Sequence, residues 1–192
     1  MVGKTHLVIG LATLAGAEAA TGLVQPHPVK DIPVGSLLCI VAVIVGALAP
    51  DIDAEESQIR YEMGEAGLAF SKWLQSFGVE HRGLTHYGLT ALVVTTISGL
   101  LGWWLGYPDV GLAFGLGYLS HILADSLTLA GTPLLWPLQQ KEQNFYLLPA
   151  ALRVRTGGPV EPLIFIAVTI LLVFLLPALV PPELIKSLRH WL

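Results

Sequence analysis

The chain has 192 residues, of which 54% are hydrophobic and only 12% charged, with a formal net charge of −4. A soluble domain carries about a quarter charged residues, so this composition, with a mean hydropathy of +0.68, argues against an ordinary soluble domain and for a bilayer as the main solvent. The acidic balance offers no basic surface for nucleic acid, and the single cysteine, Cys39, rules out an intrachain disulfide and reads as a small apolar helix residue.

The opening residues, MVGKTHLVIGLATLAGAEAA, imitate a secretory signal, with one lysine, a short apolar core and then Ala-Glu-Ala. Gly10 and Gly16 interrupt that core, and apolar character resumes after Glu18, so the segment is read as a retained first span. A helix needs about 20 predominantly apolar residues to cross the hydrocarbon core. Five segments approach this length: Leu7–Val24, Pro33–Ala49, Tyr87–Gly106, Val110–Ala130 and Val160–Val180. Pro50 and Pro108 mark helix boundaries, because proline lacks a donor and its ring clashes with the preceding turn. The expected fold is all-α: a polytopic membrane helical bundle of about five spans, forming one integral-membrane domain over residues 1–192.

Under that topology, seven lysines and arginines fall on the side of the N-terminus and three on the other. The positive-inside rule then predicts a multi-pass protein with a cytoplasmic N-terminus, cytoplasmic loops at 51–86 and 131–159, and an external C-terminus. Within the first of these loops, Phe70, Trp73, Leu74 and Phe77 recur at i, i+3, i+4 and i+7, one face of an amphipathic helix. That helix either lies in the headgroup region, anchored by Trp73, or packs on the rest of the protein. Trp103 and Trp104 read as interfacial belt residues, and His27 and His190 as surface histidines.

Five polar clusters interrupt the apolar background: KTH ending at His6, PDID with Asp51 and Asp53, HRGLTH with His81, Arg82 and His86, SHILAD with His121 and Asp125, and TGGPVE ending at Glu161. In the five-span arrangement every cluster falls at the cytoplasmic end of its helix. His121 and Asp125 are spaced i, i+4, which puts both side chains on one helix face. Imidazole and carboxylate together suit zinc, manganese or iron, and carboxylates can bridge two ions. Ionisable groups inside hydrophobic spans are rare and usually functional. Thr85 suits a cap for the third span, and the Arg82 guanidinium suits an anionic oxygen.

The ordered set of motifs, TH near the start, PDID with Ser57 after it, HRGLTH, SHILADSLTLAGTPLLWP and TGGPVE, resembles the bacterial and archaeal membrane-bound, metal-dependent hydrolase family. That family is also labelled LexA-binding, inner-membrane-associated hydrolase. The resemblance runs from His6 to Glu161, with Tyr87 standing where the family usually has serine. It implies a metal-dependent hydrolase in the plasma membrane and supplies no substrate.

Together these readings predict one or two divalent ions, zinc or manganese, at the cytoplasmic membrane surface. The expected metal ligands are His6, Asp51, Asp53, His81, His86, His121 and Asp125. Glu161 is expected as a ligand or as the general base, and Arg82 as the group that neutralises substrate charge. A phosphoester in a lipid or lipid-linked molecule is the expected substrate, the bilayer the expected surroundings, and a protein partner a further expectation. Two rivals remain on the sequence: a non-enzymatic regulator held in shape by metal, and a small proton or metal transporter. Transport needs polar groups across the whole membrane, and only Glu18 lies clearly beyond the cytoplasmic half.

Overall fold

In a bilayer the backbone must satisfy its own polar groups, and helices do so within a single segment. The computed structural model describes residues 1–29, 32–53, 64–76, 83–138 and 143–180. Among these it is mostly helical, as the composition predicts. The helices are α1 (Gly3–Thr21), α2 (Gly35–Leu48), α3 (Gly64–Ser76), α4 (Gly88–Leu105), α5 (Pro108–Asp125) and α6 (Val160–Leu175). A pair of two-residue antiparallel strands, β1 (Pro28–Val29) and β2 (Ile32–Pro33), joins α1 to α2.

The helix ends follow local chemistry. Gly22 and Gly106 adopt left-handed backbone conformations, φ 63° and 83°, and turn the chain out of α1 and α4. Pro108 opens α5 at a position where a missing N–H costs nothing. A 3-10 turn, Ala49–Asp53, follows α2 and carries Pro50. The expected amphipathic segment is indeed a helix, α3, and Trp73 on it is 55% exposed. Phe77 lies outside the described residues.

Among the described residues, three helical stretches are long and apolar enough to cross a membrane: Gly35–Ile52, Gly88–Leu105 and Val160–Leu179. The expectation of about five spans also counted α1 and α5, which do not reach that standard. The physical reason is clear for α5. It packs on α1, α2 and α4, so most of its surface meets protein instead of lipid and does not need to be apolar. By contrast, only 11% of Gly88–Leu105 and 6% of Val160–Leu179 is buried, leaving side chains such as Leu92, Ile97, Leu163 and Phe174 facing outward.

Glycines let α5 approach its neighbours closely. A Cβ at Gly117 would lie 2.3 Å from the Val43 carbonyl oxygen, and one at Gly46 would lie 2.1 Å from that of Phe114. On the opposite seam a Cβ at Gly111 would meet the Ser98 carbonyl oxygen at 2.1 Å. Small residues at such seams let helix backbones pack where no hydrophobic effect drives them together. Leu14, Ala15, Cys39, Val43, Ala113 and Leu179 form the main buried cluster, with Cys39 the small apolar residue that its surroundings predicted. A second cluster, Ala91, Tyr118 and Ile122, sits nearer the polar end.

Candidate metal centre

The starts of α1, α4 and α6 and the ends of α2 and α5 gather at one end of the bundle. Hydrogen bonds tie them there: Gly88 N–H donates to the Leu134 carbonyl at 3.0 Å, and the Tyr118 hydroxyl donates to the Thr85 carbonyl at 2.6 Å. The segment after α5 folds back across this end through bridges between Thr128 and Val154 and between Thr132 and Phe145. Tyr87 and Trp136 stack with ring centroids 4.4 Å apart.

Five of the expected ligands meet beneath this cover. His6 comes from α1, Asp51 from the turn after α2, His86 from the 3-10 turn Leu84–His86, and His121 and Asp125 from α5. Each of the three imidazoles is fully buried, Asp125 is 1% exposed, and the Asp51 side chain is 20% exposed. Nε2 of His121 and Nε2 of His86 lie 3.4 and 3.5 Å from Asp51 Oδ1. His86 Nε2 is 3.8 Å from Asp125 Oδ2, and His6 Nε2 is 3.2 Å from Asp125 Oδ1. The His6 and His121 rings stack at 3.7 Å, with the His86 ring edge-on to His121 at 5.4 Å.

Two sets of three could each hold a metal ion: His6, Asp51 and His121, and His86, His121 and Asp125. Within each set the ligand atoms lie within 4.8 Å of one another. Protonation within the site fits that use. His121 Nδ1 is 2.7 Å from the Ala47 carbonyl, which only accepts, so Nδ1 carries the hydrogen and Nε2 presents a lone pair. His6 Nε2 faces two acceptors, the Met1 carbonyl at 3.1 Å and Asp125, which leaves the lone pair on Nδ1. His121 Nε2 and His6 Nδ1 are buried and make no hydrogen bond, which suits both atoms to act as metal ligands. The nitrogen of Met1 also donates to Asp125 Oδ1. Burial pushes the His86 imidazole below its usual pKa range, partly opposed by its contact with Asp51.

Glu161, buried at 2% exposure, stands beside these sets and belongs to neither. One carboxylate oxygen accepts the Val2 N–H at 2.7 Å and the other the Gly157 N–H at 2.6 Å. Among the other expected site residues, His81 and Arg82 lie outside the described residues, as does the side chain of Asp53.

The opposite end holds a constellation that sequence reasoning missed. Asp109, 2% exposed, accepts the Gln25 N–H at 2.8 Å and lies 2.7 Å from His27 Nε2. The ring of His27, read from sequence as a surface residue, tilts against Tyr107, and its backbone φ is +40°. An aspartate next to a helix-opening proline reads as a simple dipole partner, so only its distance from residue 27 could have exposed the pairing. Glu18 is also resolved here: it lies in the last turn of α1 and accepts the Val24 N–H at 2.7 Å.

A lipid-facing helical bundle with a buried histidine–aspartate cluster at one end defines an integral membrane protein with a candidate metal centre. Over residues 1–180 the chain matches the family model described as YdjM inner membrane protein. It is 33% identical over 159 residues to the inner membrane protein YdjM of Escherichia coli (strain K12), spanning 78% of this chain and 72% of that relative. The same figures hold for the protein of that name from Shigella flexneri. Identity to the "Uncharacterized protein YvsG" of Bacillus subtilis (strain 168) is 32% over 173 residues, spanning 88% of this chain and 91% of the relative. No solved structure matches the chain. The chain belongs to the YdjM inner membrane protein family, the family its motifs resemble.

Proposed function

We propose that the chain is a membrane-embedded, metal-dependent hydrolase whose site opens at the cytoplasmic membrane surface. The observation that carries this reading is the convergence of His6, Asp51, His86, His121 and Asp125 from four separate elements into one buried cluster. The Met1 nitrogen pairs with Asp125, and the largely buried Asp51 carboxylate beside the imidazoles still calls for a cation or protons to balance its charge. The i, i+4 pair on α5 forms the rigid part of the ligand set, and the turns bearing Asp51 and His86 close it.

A divalent ion held there supplies positive charge that acidifies a water molecule and polarises the bond under attack. Zinc or manganese, as one or two ions, suits this nitrogen and oxygen donor set. Asp51 is the ligand that solvent reaches, which gives water an approach to the site. The two backbone N–H bonds to Glu161 favour a positioning role for it over the base role expected from sequence. Arg82 keeps its proposed role of neutralising an anionic substrate. The proposed substrate is a phosphoester in a lipid or lipid-linked molecule, because metal-assisted attack suits that bond and the site lies at the bilayer surface.

The near-complete burial of the cluster supports a second reading, a metal-stabilised regulatory protein that presents its cytoplasmic face to a protein partner. Structural metal sites are closed, whereas catalytic ones keep an open position. Transport gains no support: the apolar cluster of Leu14, Val43 and Ala113 separates the site from Asp109 and Glu18. The deciding experiment is metal analysis of detergent-purified protein followed by a phosphatase and phospholipase screen. Bound metal with turnover of a phosphoester supports the enzyme. Bound metal with no turnover across the screen favours the regulator, and protein that binds no divalent ion overturns both.

A further inference from the structure

His121 and His86 face the same centre, yet their second nitrogens are held by different kinds of partner. The Ala47 carbonyl at His121 Nδ1 can only accept a hydrogen bond, so it locks that ring into one tautomer. His86 Nδ1 instead lies 2.9 Å from the hydroxyl of Thr85, which can donate or accept. Adjacent side chains usually diverge. Here the tight 3-10 turn Leu84–His86 brings them together, and the His86 N–H donates to the Gly83 carbonyl at 2.9 Å.

The turn is itself anchored. Tyr118, 5% exposed and packed in the cluster with Ala91 and Ile122, donates its hydroxyl to the Thr85 carbonyl at 2.6 Å. A chain of contacts thus runs from the middle of α5 through the Thr85 backbone and side chain to the ring of His86.

We propose that Thr85 is a positioning residue for the metal site, holding the His86 ring in place through both of its neutral tautomers. The inference rests on the metal-site reading above. Without a cation, Nε2, which lies 3.5 Å from Asp51 Oδ1 and 3.8 Å from Asp125 Oδ2, carries the hydrogen, and the Thr85 hydroxyl donates to Nδ1. With a cation at Nε2, the hydrogen resides on Nδ1 and the hydroxyl turns to accept it. The proton count of the neutral ring is unchanged. One hydrogen moves from Nε2 to Nδ1 by exchange with solvent, and the hydroxyl hydrogen rotates away. A carbonyl partner would oppose the first state and an ammonium the second, whereas a hydroxyl serves both.

The test uses the full chain purified in detergent, stripped with a chelator and titrated with Zn²⁺ against a chromophoric competitor. Thr85→Val should weaken Zn²⁺ binding by about 10–100-fold, the range found when a ligand's outer hydrogen bond is removed, while Thr85→Ser should stay within about threefold of the parent. The Co²⁺-loaded protein gives a second readout. Its visible absorption should change in Thr85→Val and be restored in Thr85→Ser. Thr132→Val removes another fully buried threonine hydroxyl, away from the ligand set, and should alter neither affinity nor spectrum.

If Thr85→Val does not yield folded protein, Tyr118→Phe carries the test, with a smaller loss of affinity in the same direction. Parental affinity and spectrum in Thr85→Val, with binding still lost in His86→Gln, would overturn the role of Thr85 and leave the metal site standing. Parental binding in His86→Gln would remove His86 from the site and this inference with it. A parent protein that binds neither Zn²⁺ nor Co²⁺ would overturn both readings.

Discussion

Glu161 offers the sharpest contrast between an acid that does chemistry and one that holds backbone. With each oxygen accepting a backbone N–H, it joins the start of α1 to the start of α6. Glutamine can satisfy only one of those donors through its oxygen. Glu161→Gln should therefore retain metal, lower the thermal midpoint and reduce hydrolysis by less than about tenfold, against the roughly 10²–10⁴-fold expected from losing a general base. His121→Ala and Asp125→Ala should instead lose most of the metal, as elemental analysis would show. His86 supplies a pH test. Its pKa falls on folding, so the unfolded chain binds the proton more readily and the native state is favoured above the ordinary histidine value of about 6.5. Stability of the metal-free protein should decline as pH drops through that value, and His86→Gln should flatten the slope of thermal midpoint against pH. At this scale the sequence was legible where spacing alone creates proximity, as for His121 and Asp125. It was not legible for Asp109 and His27, 82 positions apart, whose contact depends on how α5 meets the loop after α1.

Helices make their own argument through α5. At Gly111 and Gly117, one on each seam, backbone atoms stand where a Cβ would go. Backbone cannot step aside cheaply, so Gly117→Ala and Gly111→Ala should each cost about 1–3 kcal/mol or more from overpacking. Gly16→Ala is the control, since its Cβ would meet only Leu175 Cδ1 at 3.9 Å. Thermal unfolding in detergent would measure all three. Helix positions were readable from apolar runs and proline boundaries, and the amphipathic period found α3. The burial of α5 was less readable. Its glycines and polar residues lower its hydropathy in the way an interior helix allows, and composition alone cannot separate that from a poor span.

For the molecule as a whole, the proposed ligand set is drawn from four elements, so a bound ion would cross-link the folded state. An ion that binds only the native protein stabilises it by about 2.7 kcal/mol at a free concentration 100 times its Kd. Added Zn²⁺ should therefore raise the thermal midpoint of the parent and leave that of His121→Ala unchanged. The proposed orientation is tested with reporter fusions at positions 65 and 108, where opposite-side signals are expected. Signals from the same side would remove the five-span topology.

The central place of α5 also bears on how the protein is made. Synthesis runs from the N-terminus, so His6, Asp51 and His86 are laid down before the helix that completes their site exists. Until residue 125 leaves the ribosome, the groove between α2 and α4 has no occupant, and the Asp51 carboxylate of the PDID turn lacks its His121 partner. α5 is made after α1, α2 and α4, the helices it packs between. A glycine-bearing helix is suited to such late arrival, because at Gly111 and Gly117 it brings no side chain to the closest points of the two seams it has to close. A nascent chain halted at the Gly106 turn would expose both seams to lipid and to quality-control proteases, whereas one halted after α5 would already hold all five converging ligands.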